Sequence, residues 1–525
     1  MQRATPNRDT GAALDYHERT KHDEARLRVE PHYLDWSNQP IPFKLYRSVE
    51  SVPLPADVDT LTGTSTPALA ALAAPLHGEA RALDLETLAR VLFLGAGITK
   101  RKRYTGGEIY FRAYANTGAL YHIDLYVVTA PLGALPAGVW HFGPNDFALH
   151  RLREGDYRAM LAEASGAHPR VENAAAVLVS ASTYWRNAWK YRARTYRHCF
   201  WDAGTMHANL LTVAGDEALD PCVVMGFADD PIESLLGLDS AREGAIALLP
   251  LGAGAGAIPA APALEPLRLE TEPLSRREID YPAIRAAHAA SALGDGEEAA
   301  AWRGEAPAAS VPAARGPVHP LAPPDAGTLP GRSIAGLIMR RGSTRVFDPR
   351  HAIGFDQLST ALSVGIGALP ADFLGPRRPT LLELYLIVNA VEGLEPGAYY
   401  LRREEHALEC LARGDFRTRA GRLGLDQELP ADAAVNVYAL CDLGPVLERF
   451  GNRGYRAAQM EGGILGGRLY LASYALGLGA TGLTFYDDEV IDFFAPHAAG
   501  KSVMFLTAIG YADRERLRPR PAAQK

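Results

Sequence analysis

Apolar positions recur along this chain with two periods. From Leu83 to Leu94 they fall at helical spacing, and Gly95 and Gly97 stop the run. His122 to Thr129, Gly138 to Phe142, Ala175 to Ser182 and Ala245 to Leu251 are short runs rich in β-branched and aromatic residues, which predict strands. Asp156 to Glu163 and Asp202 to Ala214 return to the helical period. The pattern then repeats. Asp124-Leu125-Tyr126 comes back as Glu383-Leu384-Tyr385, and Gly155-Asp156-Tyr157-Arg158 as Gly414-Asp415-Phe416-Arg417, with one offset of 259 (126 to 385). Ahead of that span the offset is 270 (Leu88 to Leu358), so the second copy is shorter by about eleven residues around Arg112 to Leu120. Two copies are too few for a solenoid and suit a fused dimer packed about a pseudo-two-fold axis.

Pattern and composition together divide the chain. Residues 1–50 form an N-terminal arm with aromatic and basic groups, including Thr20-Lys21-His22, and Pro40 and Pro42 keep its end extended. We read it as an arm packed over the core, with a substrate-facing lip as the alternative. Residues 51–252 are unit one. Residues 253–330, dominated by Ala, Pro and Gly with an ordered patch at Ile279 to Ala290, are a linker. Residues 331–525 are unit two. The length of 525 residues, 47% hydrophobic and 22% charged, fits more than one globular core. The net charge of −7 gives no footprint for nucleic acid or anionic membrane. The longest uncharged run, Gly244 to Leu264, is broken by Pro250, Pro259 and Pro262 and reads as a strand followed by linker. Cys199, Cys222, Cys410 and Cys441 form no Cys-x-x-Cys, which argues against a disulfide or metal framework and suits a cytoplasmic protein.

The two copies differ where chemistry-bearing residues cluster. Arg194, Tyr196, Arg197, Asp202 and Gly204 recur as Arg453, Tyr455, Arg456, Glu461 and Gly463. Lys190 and Tyr191 do not: Arg449 and Phe450 stand in their places. Recurrence marks Arg197 and Asp202 as structural, through an ion pair or a helix start. Trp185, Trp189 and Trp201 read as core or substrate wall, and His207 as a polar helix-surface residue. Unit two opens instead with Met339-Arg340-Arg341-Gly342-Ser343-Thr344-Arg345, whose three arginines and two hydroxyls can surround one phosphate. The matching stretch of unit one, Ala70 to Pro75, has no arginine. Arg514, Arg516 and Arg518 follow the last strand predicted in unit two, Ser502 to Gly510.

These features resemble the nitroreductase-like flavoproteins. Arg112 to Tyr126, Lys190-Tyr191, Tyr196-Arg197, Asp202-x-Gly204, and Gly226-Phe227 with Leu235-Leu236-Gly237 resemble in particular the SagB-type dehydrogenases (azoline oxidases) of thiazole/oxazole peptide pathways. In unit two the Arg-rich loop, the Glu461-Gly462-Gly463 helix and Gly477-Leu478-Gly479 carry the wider resemblance. The usual Pro-Ser-x-Gly-Ala-Leu-Tyr-Pro loop here reads Ala115-Asn116-Thr117-Gly118-Ala119-Leu120-Tyr121-His122. The resemblance implies an α+β fold of two nitroreductase-like units, each a central antiparallel-rich sheet flanked by helices, joined as a fused pseudo-dimer with FMN at the interface. Carried onto this chain, it implies one composite site. Arg340, Arg341, Ser343, Arg345 and Arg516 of unit two hold the phosphate, with Gly479 beside them. Arg112, Asn116, Thr117 and Gly118 of unit one lie near the flavin, and Lys190 and Tyr191 are catalytic. No metal is expected.

The implied reaction oxidises a thiazoline or oxazoline to the azole, with a proton lost to a base and a hydride to the flavin. Tyr191, its pKa lowered by Lys190, is one candidate base, and a desolvated Lys190 is the other. The two neighbours serve one substrate only at the end of an element, since consecutive helical residues point about 100° apart. The implied substrate is a modified peptide or a carrier-bound azoline, and the implied partner a cyclodehydratase or peptide-delivery protein. Two other readings stand beside this one: an NAD(P)H-dependent reductase of nitro compounds or enones, and a flavin-free scaffold.

Overall fold

Two antiparallel sheets carry the repeat in the computed structural model, which describes residues 6–29, 31–74, 76, 78–104, 107–307, 311, 313–322, 331–513 and 515–516. In chain order the strands of the first half are β1 (Ser51–Pro53), β2 (Ile98–Tyr104), β3 (Gly107–Arg112), β4 (Ile123–Thr129), β5 (Gly138–Gly143), β6 (Ala148–Glu154), β7 (Ala174–Thr183) and β8 (Glu243–Ala253). Those of the second half are β9 (Val318–Pro320), β10 (Leu382–Val388), β11 (Gly397–Arg402), β12 (Ala407–Arg413), β13 (Val435–Cys441), β14 (Gly479–Leu483) and β15 (Ser502–Gly510). The sheets run β1-β6-β5-β4-β7-β8 and β14-β15-β13-β10-β11-β12-β9, while β2 and β3 form a separate hairpin. The fold is the α+β architecture expected.

The duplication extends to irregularities that hydrophobic pattern alone does not require. Tyr126 pairs with Val179 in unit one, and Tyr385 with Tyr438 in unit two, at the same offset of 259. The β5–β6 register shifts between Val139 and Trp140, and the β11–β12 register between Ala398 and Tyr399. The β7–β8 shift between Ser180 and Ala181 returns in β13–β15 between Ala439 and Leu440. Both central strands of each sheet are buried on both faces, so their sequences read as continuous apolar runs rather than as alternation.

The units meet along two long buried helices, Thr195–Asp216 and Arg453–Ala475. A Cβ on Gly204 would lie 2.6 Å from the Gly463 Cα, and one on Gly463 would lie 2.4 Å from the Trp201 carbonyl oxygen. Gly204 and Gly463 are equivalent residues touching each other, which places the pseudo-two-fold axis between them. Two ion-pair clasps flank the axis. Arg194 and Arg197 of unit one bind Asp487 of unit two, Arg197 at 2.6 Å. Arg453 and Arg456 of unit two bind Asp229 of unit one, at 2.5 and 2.7 Å. Burial opposes ionisation of Asp229, but the two guanidiniums outweigh it and hold its carboxyl down at about 2. The recurring arginine is therefore structural, as its recurrence suggested, and its partner is across the interface rather than at Asp202.

The N-terminal arm seals the same seam. Asn452 Oδ1 accepts the Ala13 N–H at 2.9 Å, and the Arg197 guanidinium donates to the His17 carbonyl at 2.7 Å. The segment after unit one also packs inward: it holds helices Pro282–Ala290 and Gly296–Trp302, and Trp302 is buried against Phe450. Leu85–Ala96 and Phe355–Gly365 are the matching helices before the sheets, related by 270 residues at Leu88 and Leu358. The additional residues of unit one between this helix and β4 are the β2–β3 hairpin; residues 366–381 of unit two hold no strand.

Candidate functional site

Each central helix presents one face to a cleft, and the two clefts differ. On one side lies a cavity of about 850 Å³. Unit one contributes the inner face of β2–β3, the 114–121 turn, Lys190, Tyr191, His198, Trp201, Asp202 and Thr205. Unit two contributes Met339 to Ser343, Arg345, Gln427, Leu429, Tyr470, Thr481 to Thr484 and Phe505, and the arm contributes His22. The other cleft, bounded by Glu461, Ile464, Leu465, Arg468 and Arg403, holds about 30 Å³.

The 116–118 turn is built on Asp202. Its carboxylate accepts the Thr117 N–H at 2.9 Å and the Thr117 hydroxyl at 2.7 Å, while its other oxygen meets His122 Nε2 at 2.9 Å. Asn116 Oδ1 accepts the Tyr121 N–H at 2.8 Å. Its Nδ2 is buried with no partner, and so are Tyr114 OH and Arg112 Nε, all on residues that line the cavity. Gly118 sits at φ +65, and a Cβ there would stand 2.9 Å from the Tyr191 hydroxyl, so both backbone and space call for glycine. Arg112 itself is largely spent on the scaffold. It donates to the Pro42 carbonyl at 2.9 Å and stacks on Phe43 and Tyr121.

Lys190 and Tyr191 end the helix Tyr184–Tyr191, and Arg192 at φ 53 turns the chain into a 3-10 segment. That position lets both side chains reach one cavity. The Lys190 ammonium lies over the face of the Tyr191 ring, 5.3 Å from its centroid, not at the hydroxyl. Burial and Arg345 lower the Lys190 pKa. Burial and Asp202 outweigh Arg345 and raise that of Tyr191. This corrects the expectation of a depressed tyrosine: desolvation penalises the phenolate, and the lysine contacts the wrong part of the ring to offset it. Of the two candidate bases, the environment favours Lys190, whose pKa is lowered, over Tyr191, whose pKa is raised.

The arginine loop follows the helix Ile334–Ile338. Arg341 crosses to unit one, donating to the Ala113 carbonyl at 3.1 Å and the Arg112 carbonyl at 3.3 Å. Ser343 Oγ lies 3.2 Å from Tyr470 OH. Arg340 and Arg345 are exposed into the cavity and make no ion pair among the described residues. Gly479 does not line the cavity. A Cβ there would meet Thr344 Oγ1 at 2.2 Å, so it lets the loop lie against β14, where Thr344 N–H donates to the Ala480 carbonyl. Arg516 does not line the cavity and is about half exposed beside Asp432 and Asp513, and Arg514 and Arg518 lie outside the described residues. In unit one a backbone bridge between Pro67 and Ser333 sets the local offset at 266. The counterpart of Arg340 to Arg345 is then Ala74 to Glu79, again without arginine.

Several lining residues carry little sequence signal. His22 lies in the arm, where the sequence reading preferred packing to a lip. The arm packs, and His22 also reaches the cavity, with Nδ1 3.0 Å from Thr484 Oγ1. Burial lowers its pKa to about 3, and it also holds His198 well below its ordinary range, so both are neutral donors or acceptors. Asp202 was read only as structural. His207 is buried rather than on a helix surface, with Nε2 3.1 Å from Ser180 Oγ. Trp201 walls the cavity, while Trp189 packs against Trp36 of the arm. A close group of Asp229, Glu233 and His288 exists, but both Asp229 oxygens are bound by arginines, which leaves no open cation cage.

Residues 79–253 match the nitroreductase family, so unit one is a nitroreductase-family domain. A crystal structure of a nitroreductase-type protein from Anabaena variabilis superposes on 96% of this chain and 99% of its own, with a TM-score of 0.76 and 26% identity. Both units and their arrangement are thus shared with that structure. A Methanocaldococcus jannaschii protein with a nitroreductase designation is 29% identical over 110 residues, or 21% of this chain and 56% of its own. The trifolitoxin-processing protein TfxB of Rhizobium leguminosarum is 28% identical over 179 residues, or 33% of this chain and 47% of its own. The chain therefore spans about half the length of these curated relatives. With the peptide-processing relative among them, the chain resembles the SagB-type members of the nitroreductase-like proteins. Among the described residues, no helix is long and apolar enough to cross a membrane.

Proposed function

We propose that the chain is a cytoplasmic FMN-dependent dehydrogenase that oxidises thiazoline or oxazoline rings to azoles in a peptide or carrier-bound substrate. A cyclodehydratase or peptide-delivery protein would supply that substrate. The observation that carries this reading is the meeting, in one cavity, of the Lys190-Tyr191 pair from one unit and the arginine loop from the other. The residues suit FMN. A cavity of about 850 Å³ is within the range of cofactor sites. Arg340 and Arg345 are free to meet the phosphate, Arg341 and Ser343 shape the loop around it, and the buried Asn116 Nδ2 lacks the acceptor that a flavin ring edge has. When bound, FMN would supply the acceptor for the hydride removed from the ring. Lys190, in its deprotonated form, takes the proton from the neighbouring ring carbon. Tyr191 keeps its own proton and orients the substrate through its hydroxyl, held beside Gly118. Trp201 and Phe505 wall the cavity and limit water.

Turnover of an azoline peptide by Lys190→Ala holoenzyme should fall about 10²–10⁴-fold, the contribution of a positioned base. Wild-type kcat/KM should rise with pH and level off below the ordinary lysine range, because Lys190 must be deprotonated and its pKa is lowered. Loss of that limb in Lys190→Ala is the expected signature, with FMN content unchanged. A second reading, an NAD(P)H-dependent reductase, is favoured by the nitroreductase designations of the relatives. Rapid bleaching of the flavin by NADPH, with azoline peptides left untouched, would replace the first reading with this one.

A further inference from the structure

The cavity carries more positive charge than one flavin phosphate uses. Seven basic side chains line it, Lys190 among them, against the single carboxylate of Asp202, which is already engaged by Thr117 and His122. The whole chain, by contrast, is at −7. Three of them, Lys100, Lys102 and Arg112, belong to the β2–β3 hairpin, the element that unit two lacks, and Arg112 is spent on the scaffold. The hairpin register sorts the charges. Lys100 opposes Phe111 and Lys102 opposes Ile109 on the cavity face, while Arg101 opposes Tyr110 and Arg103 opposes Glu108 on the outer face. The outer cations are answered: Arg103 pairs with Glu108 at 2.5 Å, and Arg101 lies over Tyr110. The inner lysines are exposed and form no ion pair among the described residues, and Lys102 rests over Phe111.

We propose that the inner face of this hairpin docks the peptide substrate, and that the segment it takes is acidic. The proposal rests on the dehydrogenase reading of the same cavity. Lys100 and Lys102 are two residues apart on one strand face, roughly 6–7 Å along the strand. An extended peptide with carboxylates on alternate residues presents anions at that same repeat, and the apolar edges of Phe111 and Ile109 receive the intervening methylenes. The carboxylates are thereby fixed at the cavity mouth while a ring further along the peptide reaches Lys190.

The test uses the FMN-loaded protein and fluorescence anisotropy of a dye-labelled acidic peptide that contains no azoline. Its counterpart has every Asp and Glu replaced by Asn and Gln. The acidic peptide should bind about tenfold tighter than its counterpart, and raised salt should erase the difference. Lys100→Gln/Lys102→Gln should cost about the same factor and leave the FMN content unchanged. Arg101→Gln/Arg103→Gln on the outer face should cost nothing. Equal binding of the two peptides, or equal losses in the two variants, would overturn the proposal. So would a loss in the inner-face variant confined to NADPH binding, which would assign the lysines to a nucleotide phosphate. Because the probe has no azoline, failure of docking is read separately from failure of azoline oxidation.

Discussion

The two clefts beside the central helices have the same construction and opposite contents. Asp202 and Thr205 line one, with Met206 and Asn209 further along the same helix; Glu461, Ile464, Leu465 and Arg468, at the equivalent positions, line the other. Asp202 holds the Thr117 turn at a distance that leaves Asn116 and Gly118 facing open space. Glu461, one methylene longer, accepts the Leu381 N–H at 2.8 Å and the Thr380 hydroxyl, beside a cleft of only about 30 Å³. Asn209 ties down Leu94 and Ala113 locally, whereas Arg468 extends to the carbonyls of Val364 and Leu72 and fills the cleft. Burial and Arg403 lower its pKa to about 10. With no arginine loop on the facing unit and no hairpin above it, the second cleft has become core. Side-chain length at a few helix positions, together with the missing loop and hairpin, separates a cavity from packing.

The largest effects should come from features that the two halves still share. Asp487→Asn and Asp229→Asn each leave two buried guanidiniums unanswered, and each should cost about 3–5 kcal/mol in denaturant unfolding. Similar losses are expected because the clasps are related by the pseudo-axis; a large inequality would break the symmetry argument. The Asp229 carboxyl, held near 2, contributes stability above the ordinary carboxylate range, and that stability is lost as pH falls through its lowered value. Asp229→Asn should therefore flatten the acid limb of the stability profile. Next is the helix crossing. Gly463→Ala puts a methyl against the Trp201 and Phe200 carbonyls and should cost about 1–3 kcal/mol, measured as a lowered Tm. Smallest is Arg516→Ala, which should change stability by no more than about 0.5 kcal/mol and FMN content not at all, since Arg516 stands on the surface by Asp432.

Much of this comparison was legible in the chain itself. One constant offset revealed the duplication, because insertions are rare inside paired strands; the change to 270 before it placed the extra residues around Arg112 to Leu120, whereas the structure puts them in the β2–β3 hairpin that ends at Arg112. The replacement of Lys190-Tyr191 by Arg449-Phe450 marked which half carries the cavity residues. Other features depend on tertiary placement. Arg516 follows the last strand in sequence but pairs with Asp432 and Asp513 outside the cavity lining, and Gly479 serves the loop from behind. His22 comes from an arm whose composition differs little from a packing element. The protonation of Lys190 and Tyr191 depends on their burial and on Asp202 and Arg345 nearby, and adjacency in sequence does not specify that.

The central claim is one composite flavin site per chain, and it is tested most directly by the amount of FMN released from purified, reconstituted protein. The account predicts one FMN per chain in the wild type and its loss in Arg340→Ala/Arg345→Ala. Two per chain, none, or full retention in the variant would contradict it.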